Sequence, residues 1–275
     1  MKVIELSHTD EKMGKAPQVL AIGFFDGVHL GHMKLLSHAK KVADKQDVLF
    51  SVLTFYPHPD VVIKGHKNRK YLMPLPQKIS KMESIGVEQL FIMNFDRAFA
   101  SLPPAEFIRK YIVESNTRHV VVGFDFTFGY KAQGNTDFLL HESEKHGFGL
   151  SVIPKKTYLG EKISSTRIRN LVKNGKVESI HNYLGGNYEI SGRILQNELA
   201  KKVIFKPSSQ ALLPAPGTYN VRIKQNNRVI QGKYYQYADT IERNILMVNE
   251  NAVTYGAPCK IAFINKEKNV KSLSV

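Results

Sequence analysis

The sequence predicts an α/β domain with a mainly parallel sheet over residues 1–185, followed by a small all-β domain over residues 186–275. Three observations predict this. Short apolar runs alternate with helix-period segments through the first two-thirds of the chain. The texture changes at Leu184-Gly-Gly-Asn187, where helical periodicity fades. From there six short β-type runs follow one another.

The elements can be justified in order. Residues 18–23 (Q-V-L-A-I-G) are a short apolar run ending in glycine, as buried parallel strands are. Residues 32–44 place Met33, Leu35, Leu36, Ala39, Val42 and Ala43 at helical spacing. Residues 48–55 predict a second buried strand, stopped by Pro57 and Pro59. Residues 78–85 predict a helix closed by Gly86, and residues 88–93 a strand. Residues 104–115 and 135–146 predict helices, residues 119–123 and 150–153 strands. Beyond residue 186 the expected strands are 188–195, 202–205, 218–224, 229–237, 244–248 and 259–264. Gln225-Asn-Asn227 and Asn249-Glu-Asn251 are turn formers between them. Six such strands imply a small barrel or a sandwich.

Composition narrows the function classes. Hydrophobic residues make up 43% and charged residues 23%, as in globular chains. Apolar runs such as 48–55 are too short to span a bilayer, and the first residues lack a signal-peptide layout. The expected location is the cytoplasm. A single cysteine, Cys259, excludes an internal disulfide and a cysteine-clustered zinc site. The net charge of +15 suits small polyanions or a solvated basic surface. It is scattered, with short clusters at residues 64–70 and at Lys155-Lys156, and no recognition element for nucleic acid accompanies it.

The stretch I-G-F-F-D-G-V-H-L-G-H (residues 22–32) carries the chemistry. In open parallel sheets ligands sit at the carboxyl ends of the strands, and this bend follows such an end. A helix starting there points unpaired N–H groups and a positive dipole end at the cleft. Gly27 and Gly31 allow close backbone approach. His29 and His32, three apart, can donate to one anionic group from the same side, which suits a phosphate gaining charge in a transition state. A Walker-type G-x-x-x-x-G-K-[ST] loop is absent, and no third ligand at a telling spacing completes a metal site. Ser164, Ser165 and Thr166 are helix-capping residues ahead of Arg167 and Arg169. The plain reading is a cap for a helix over residues 167–173; the functional one is a second oxyanion cradle. Pro57 and Pro59 around His58 predict a stiff, extended turn at a strand end.

Residues 23–32 resemble the signature of prokaryotic FAD synthetases, the bifunctional riboflavin kinase/FMN adenylyltransferases of the His-x-Gly-His nucleotidyltransferase superfamily. T-F-Y-P-H-P (54–59), V-V-G-F-D-F-T-F-G (121–129) and I-S-S-T-R-I-R (163–169) are similar to further family motifs, in family order. The resemblance implies a Rossmann-like nucleotidyltransferase domain that transfers AMP from ATP to FMN, giving FAD and pyrophosphate with Mg²⁺. It implies that His29 and His32 stabilise the α-phosphate, and that Arg169, counted with them as catalytic, holds the β- and γ-phosphates. Gly23, Phe24, Phe25, Asp26, Gly31, Ser164, Ser165, Thr166 and Arg167 would bind ATP, the hydroxyl-rich segment at its β- and γ-phosphates. Pro57, His58, Pro59, Asp125 and Phe126 would bind FMN. Thr127 and Asn135 depart from the family's usual Arg and Asp, which puts FMN affinity in doubt. Lys81-Met-Glu-Ser84 resembles an aminoacyl-tRNA synthetase loop but lies inside an amphipathic helix, without the second lysine.

Residues 188–263 resemble the riboflavin kinase barrel, six-stranded and antiparallel. Tyr188, the turn L-P-A-P-G-T-Y (213–219) and Tyr255-Gly256 match, and Glu242 lies where the kinase base is expected. The kinase's G-R-x-L-G-F-P-T-x-N loop is missing: residues 197–210 read N-E-L-A-K-K-V-I-F-K-P-S-S-Q. The helical segment that follows the family's last strand has no counterpart before Val275. The expectation is an FMN adenylyltransferase whose kinase domain is vestigial. Alternatives are a bifunctional enzyme, an adenylyltransferase for another phosphate ester, and a non-catalytic flavin or nucleotide sensor.

Overall fold

The computed structural model describes residues 1–9, 13–66, 68–197, 202–237, 244–248 and 252–267. Two compact units divide the chain. The first comprises Met1–Arg69 and Leu75–Lys156, the second Lys70–Pro74 and Thr157–Val275. No helix among the described residues is long and apolar enough to cross a membrane.

In the first unit six parallel strands lie in the order β1-β4-β3-β2-β5-β6. They are β1 (Lys2–Leu6), β2 (Gln18–Ile22), β3 (Leu49–Tyr56), β4 (Gln89–Asn94), β5 (Thr117–Gly123) and β6 (Gly149–Ile153). The helices are α1 (Leu30–Gln46), α2 (Pro59–Ile63), α3 (Leu75–Ile85), α4 (Arg97–Ala100), α5 (Pro104–Ile108) and α6 (Thr136–His146). All five residues of β2 are buried, which is why Val19–Ile22 are apolar, while buried Gln18 donates its side-chain amide to the Ser115 carbonyl at 3.0 Å. Leu20, Ile22, Leu53, Phe55, Val120 and Val122 join Phe91, Phe107, Phe128 and Leu139 in one core. The buried residues of α1 are Leu35, Leu36, Ala39 and Ala43, and the helix packs on β2, β3 and β5. The chain leaves β2 toward β3 and returns to β2's other side through β5, so the strand order reverses between β2 and β5.

Boundaries depart from expectation in several places. β1 was not expected: it is a five-residue edge strand with one buried residue, too little apolar signal to read. The helix expected over residues 104–115 is α-helical only to Ile108, and Arg109–Val113 widen into a π-helical turn that buries Tyr111 and Ile112. α3 begins three residues early, at Leu75.

In the second unit, a short hairpin of β7 (Thr157–Tyr158) and β8 (Glu161–Lys162) precedes α7 (Ser165–Lys173) and α8 (His181–Leu184). The six expected β runs all form strands: β9 (Tyr188–Asn197), β10 (Lys202–Pro207), β11 (Gly217–Gln225), β12 (Arg228–Gln236), β13 (Ile245–Met247) and β14 (Pro258–Lys266). They close an antiparallel barrel in the order β10-β13-β12-β11-β14-β9. Barrel, not sandwich, is the outcome, and closure leaves no free edge among the described strands. The β11–β12 turn forms as Gln225-Asn-Asn227 predicts, with positive φ at Asn226 (49°) and Asn227 (60°). Inward alternation buries Tyr188, Ile190, Tyr219, Val221, Ile223, Tyr234, Ile261 and Phe263. Glu242, the turn 249–251, residues 198–201 and Lys67 lie outside the described residues. The texture change near residue 186 falls between α8 and β9, while by compactness the chain from Thr157 groups with the barrel.

Leu20 is fully buried in the strand that carries the bend. Leu20→Ala is expected to lower unfolding stability by about 3 kcal/mol, read as a fall in the urea midpoint with unchanged slope. A loss below about 1 kcal/mol would mean that the core around β2 collapses to fill the space.

Candidate active site

The loops after β3, β2 and β5 leave three adjacent strands at their carboxyl ends. They carry, in that order, Pro57-His58-Pro59, the bend from Gly23 to His32, and Phe124 to Gly129.

The bend is a strained backbone. Phe25 (φ 53°), Gly27 (φ 81°) and Val28 (φ 41°) all lie in the left-handed region, and Phe25 and Val28 are buried there. For a β-branched residue such as Val28 this is a costly conformation, of order 1–2 kcal/mol, that only over-determined surroundings maintain. Part of that determination is packing. A Cβ at Gly23 would stand 2.9 Å from the Phe25 ring, so the ring lies over the Gly23 backbone. It meets the His32 ring in a T-shaped contact, with centroids 5.2 Å apart.

The rest comes from hydrogen bonds to one oxygen. The Phe24 carbonyl accepts from Lys78 Nζ at 2.6 Å and from Thr54 Oγ1 at 3.0 Å. Lys78 Nζ also lies 3.3 Å from Thr54 Oγ1 and 4.3 Å from the centre of the Phe24 ring. Lys78 is only 2% exposed. Burial pushes its ammonium down to about 8, with the charge of buried Asp26 working in the opposite direction.

His29 is the N-cap of α1. Its Nδ1 accepts the backbone N–H of His32 at 3.2 Å, which puts the proton of the neutral ring on Nε2. The two imidazoles stack, centroids 3.6 Å apart and planes 13° from parallel. His32 Nδ1 is buried and has no hydrogen-bond partner among the described residues. Burial, then the repulsion that a protonated His29 would exert and the charge of Lys78, hold the His32 imidazole well below its ordinary pKa. Two stacked rings beside a buried ammonium are a poor place for another positive charge. The pair therefore offers neutral N–H donors next to a fixed cation, a set that favours an anion with growing charge.

On the β3 side, His58 is the N-cap of α2, its Nδ1 accepting from Asp60 N at 3.0 Å. The turn is extended at His58 as expected, but Pro59 then opens one turn of helix. His58 meets the Phe24 ring edge-on at 4.3 Å. On the β5 side, Asp125 and Phe124 are exposed, whereas Phe126 stacks on Phe128 at 5.4 Å and packs against the core. Asn135 is a helix cap, accepting from Phe138 N at 2.9 Å.

Ser164 and its neighbours belong to the second unit. Ser164 caps α7, its Oγ accepting from Arg167 N at 3.2 Å. Arg167 pairs with Glu161 of β8 at 2.9 Å. Thr166 is exposed, and Ser165 and Arg169 are half-buried. α7 begins at Ser165, two residues earlier than expected.

The sequence profile of the FAD synthetase family matches residues 11–167 of the chain. The bifunctional riboflavin kinase/FMN adenylyltransferase of Bacillus subtilis is 33% identical over 100% of this chain and 92% of its own. The chain belongs to the FAD synthetase family. A second member, the FAD synthetase of Listeria monocytogenes, is 30% identical over 83% of this chain and 93% of its own. Among solved structures, a macrolide-efflux protein from Streptococcus pneumoniae superposes with a TM-score of 0.88 at 23% identity. It covers 100% of this chain and 94% of its own, a likeness of fold.

Lys78 is the site residue the motifs do not flag. The signal was present, because Lys78 and Met82 are the two buried residues of α3, four apart on one face. A lysine on the buried stripe of an amphipathic helix asks for a partner. In Lys81-Met-Glu-Ser84, Lys81 is half-buried and Glu83 and Ser84 are exposed, as the helix-surface reading expects, whereas Met82 is buried.

The depressed His32 predicts a pH dependence of stability. Below about 6.5 the unfolded chain takes up a proton at this position that the folded chain does not. Stability is then lost as pH falls from 6.5, by at most about 1.4 kcal/mol per pH unit from this residue. His32→Gln should flatten that part of the profile in urea melts between pH 7 and 5. An identical slope in the variant would show that His32 titrates normally.

Proposed function

We propose that this chain is an FMN adenylyltransferase that makes FAD and pyrophosphate from FMN and ATP, and that its barrel no longer phosphorylates riboflavin. The observation that carries the first part is the stacked, neutral His29–His32 pair at the start of α1, beside the sheet's switch point. Membership of the FAD synthetase family supplies the substrates.

In this mechanism FMN brings its own nucleophile, a phosphate oxygen, so no activated Ser, Cys or Lys is needed. That oxygen attacks the α-phosphorus of ATP in line, a new P–O bond forms, and the bond to pyrophosphate breaks with its electron pair leaving on pyrophosphate. His29 Nε2–H and His32 donate toward the α-phosphate oxygens as charge builds there. Gly23, Phe24, Phe25, Asp26 and Gly31 shape the backbone around ATP. Pro57, His58 and Pro59 on the β3 side, with Asp125 and Phe126 on the β5 side, hold FMN. The family resemblance assigns the ATP phosphates to Ser164, Ser165, Thr166, Arg167 and Arg169 at the start of α7.

Among the described residues no three His, Cys, Asp or Glu side chains gather into a metal cage. Mg²⁺ carried on a triphosphate keeps most of its waters and needs no such cage, so the residues present fit it in that role, with Asp125 as an exposed carboxylate. When bound, it would offset charge on the departing pyrophosphate.

The loss of kinase activity rests on the missing loop. Where Thr and Asn are required, strand β10 runs to Pro207, and Ser208 to Ala211 close a turn through Ala211 N to Ser208 O at 3.0 Å. Neither residue type is present in 202–211.

Chromatography of products tests both parts. With ATP and Mg²⁺, FMN should yield FAD, and riboflavin should yield no FMN. FMN formed from riboflavin at a comparable rate would restore the bifunctional reading, and failure of FMN to yield FAD would remove the first. His29→Ala should lower kcat about 10²-fold with KM for ATP changed less than about threefold. Arg169→Ala should act mainly on KM for ATP.

A further inference from the structure

The charge beneath the bend has no place in the mechanism above. Lys78 is too buried to touch a substrate. Nothing in the hydrogen bonding of α3 requires a lysine there, and Met82, its neighbour on the same buried face, is apolar. An ammonium kept out of water at that depth destabilises the fold unless something compensates. Its compensation comes from the bend itself: the Phe24 carbonyl, the Phe24 ring and the negative charge of Asp26. Thr54 of β3 adds its hydroxyl, and shares the same carbonyl. α3, β3 and the loop after β2 are thus tied at one point, one residue from strained Phe25 and five from His29.

We propose that Lys78 is a positioning residue for adenylyl transfer: its ammonium fixes the bend through the Phe24 carbonyl and keeps a positive charge behind the His29–His32 pair. The inference rests on the reading of this site as an FMN adenylyltransferase. It assigns two consequences to one group. The clamp holds the N-cap His29, and therefore the stacked pair, in place. The charge adds a fixed positive field at the phosphate that gains negative charge, in a water-poor setting where such a field is strong. It also favours the neutral form of His32, the form that stacks against His29.

The groups that face Lys78 define its titration. Asp26 faces it from the bend and His32 from α1, while β3 presents the uncharged Thr54 hydroxyl. His29 bears on His32, and His58 makes a T-shaped contact with the Phe24 ring. With burial holding Lys78 near 8, the ammonium is present at pH 7 and mostly lost by pH 9.

The test uses the full chain, with FMN, ATP and Mg²⁺ as substrates, and compares wild type, Lys78→Met and Lys78→Arg. Methionine has similar length and no charge to bury, so the fold is retained, which a thermal melt checks. In wild type, kcat should fall about tenfold per pH unit above pH 8. Lys78→Met should have a kcat at pH 7 at least tenfold lower, no alkaline fall, and KM values for ATP and FMN within threefold of wild type. Lys78→Arg, which stays charged, should recover part of the pH 7 rate and keep it at pH 9. A second readout needs no turnover: in the ligand-free protein, the NMR titration midpoint of His32 should rise in Lys78→Met, because a neighbouring positive charge has gone. Wild-type activity with Lys78→Met within threefold at pH 7, or an alkaline fall that persists in that variant, overturns the inference and leaves the adenylyltransferase reading standing. A wild-type protein that makes no FAD overturns that reading, and this inference with it. An unmoved His32 midpoint overturns the electrostatic link on its own.

Discussion

Three segments far apart in the chain meet at the carbonyl oxygen of Phe24. Thr54 lies 30 residues away and Lys78 lies 54, and both donate to it. A backbone carbonyl has two lone pairs, and here both are used, one by a charged donor. Around this oxygen the backbone of Phe25 and Val28 is held in a conformation that side chains with a Cβ avoid. Strain of this kind persists only when the neighbours leave no alternative. Ring packing over Gly23 and the paired donors remove the alternatives. The bend is therefore rigid before any ligand arrives, the condition for preorganised stabilisation of charge.

The electrostatics follow from that rigidity. Stacking at 3.6 Å brings two imidazoles closer than two positive charges would tolerate, and the ammonium behind them adds to the penalty. Neutrality is thus imposed by geometry, and the His29 tautomer is fixed by its cap bond to His32 N. Donors whose protonation is set by structure need no proton movement during phosphoryl transfer. Such a site works by position, in keeping with a reaction whose nucleophile the substrate itself provides.

The second unit keeps the packing of its barrel apart from the segment on which the proposed loss of kinase activity rests. Its barrel closes through all six strands, and the tyrosines Tyr188, Tyr219 and Tyr234 with Phe263 fill its interior. These packing residues lie on strand faces, and the stretch where a phosphate loop would be expected lies at the end of β10. Packing and phosphate binding thus draw on different residues, so one can be altered without the other.

The sequence alone determined the parts governed by local pattern and short motifs. Uninterrupted apolar runs gave the buried strands, periodicity gave α1 and α6, and alternation with Asn-Asn turns gave the barrel strands. The ordered motifs 23–32, 54–59, 121–129 and 163–169 gave the family. Edge strand β1 escaped because it buries a single residue, and the π-helical turn at Arg109–Val113 because backbone register leaves no compositional trace. Only the tertiary structure decided that Lys78 serves the bend, that Phe126 packs on Phe128, and that the two histidines stack as a neutral pair. Each depends on which atoms from distant segments share a desolvated space, and that is fixed by packing in three dimensions, not by spacing along the chain.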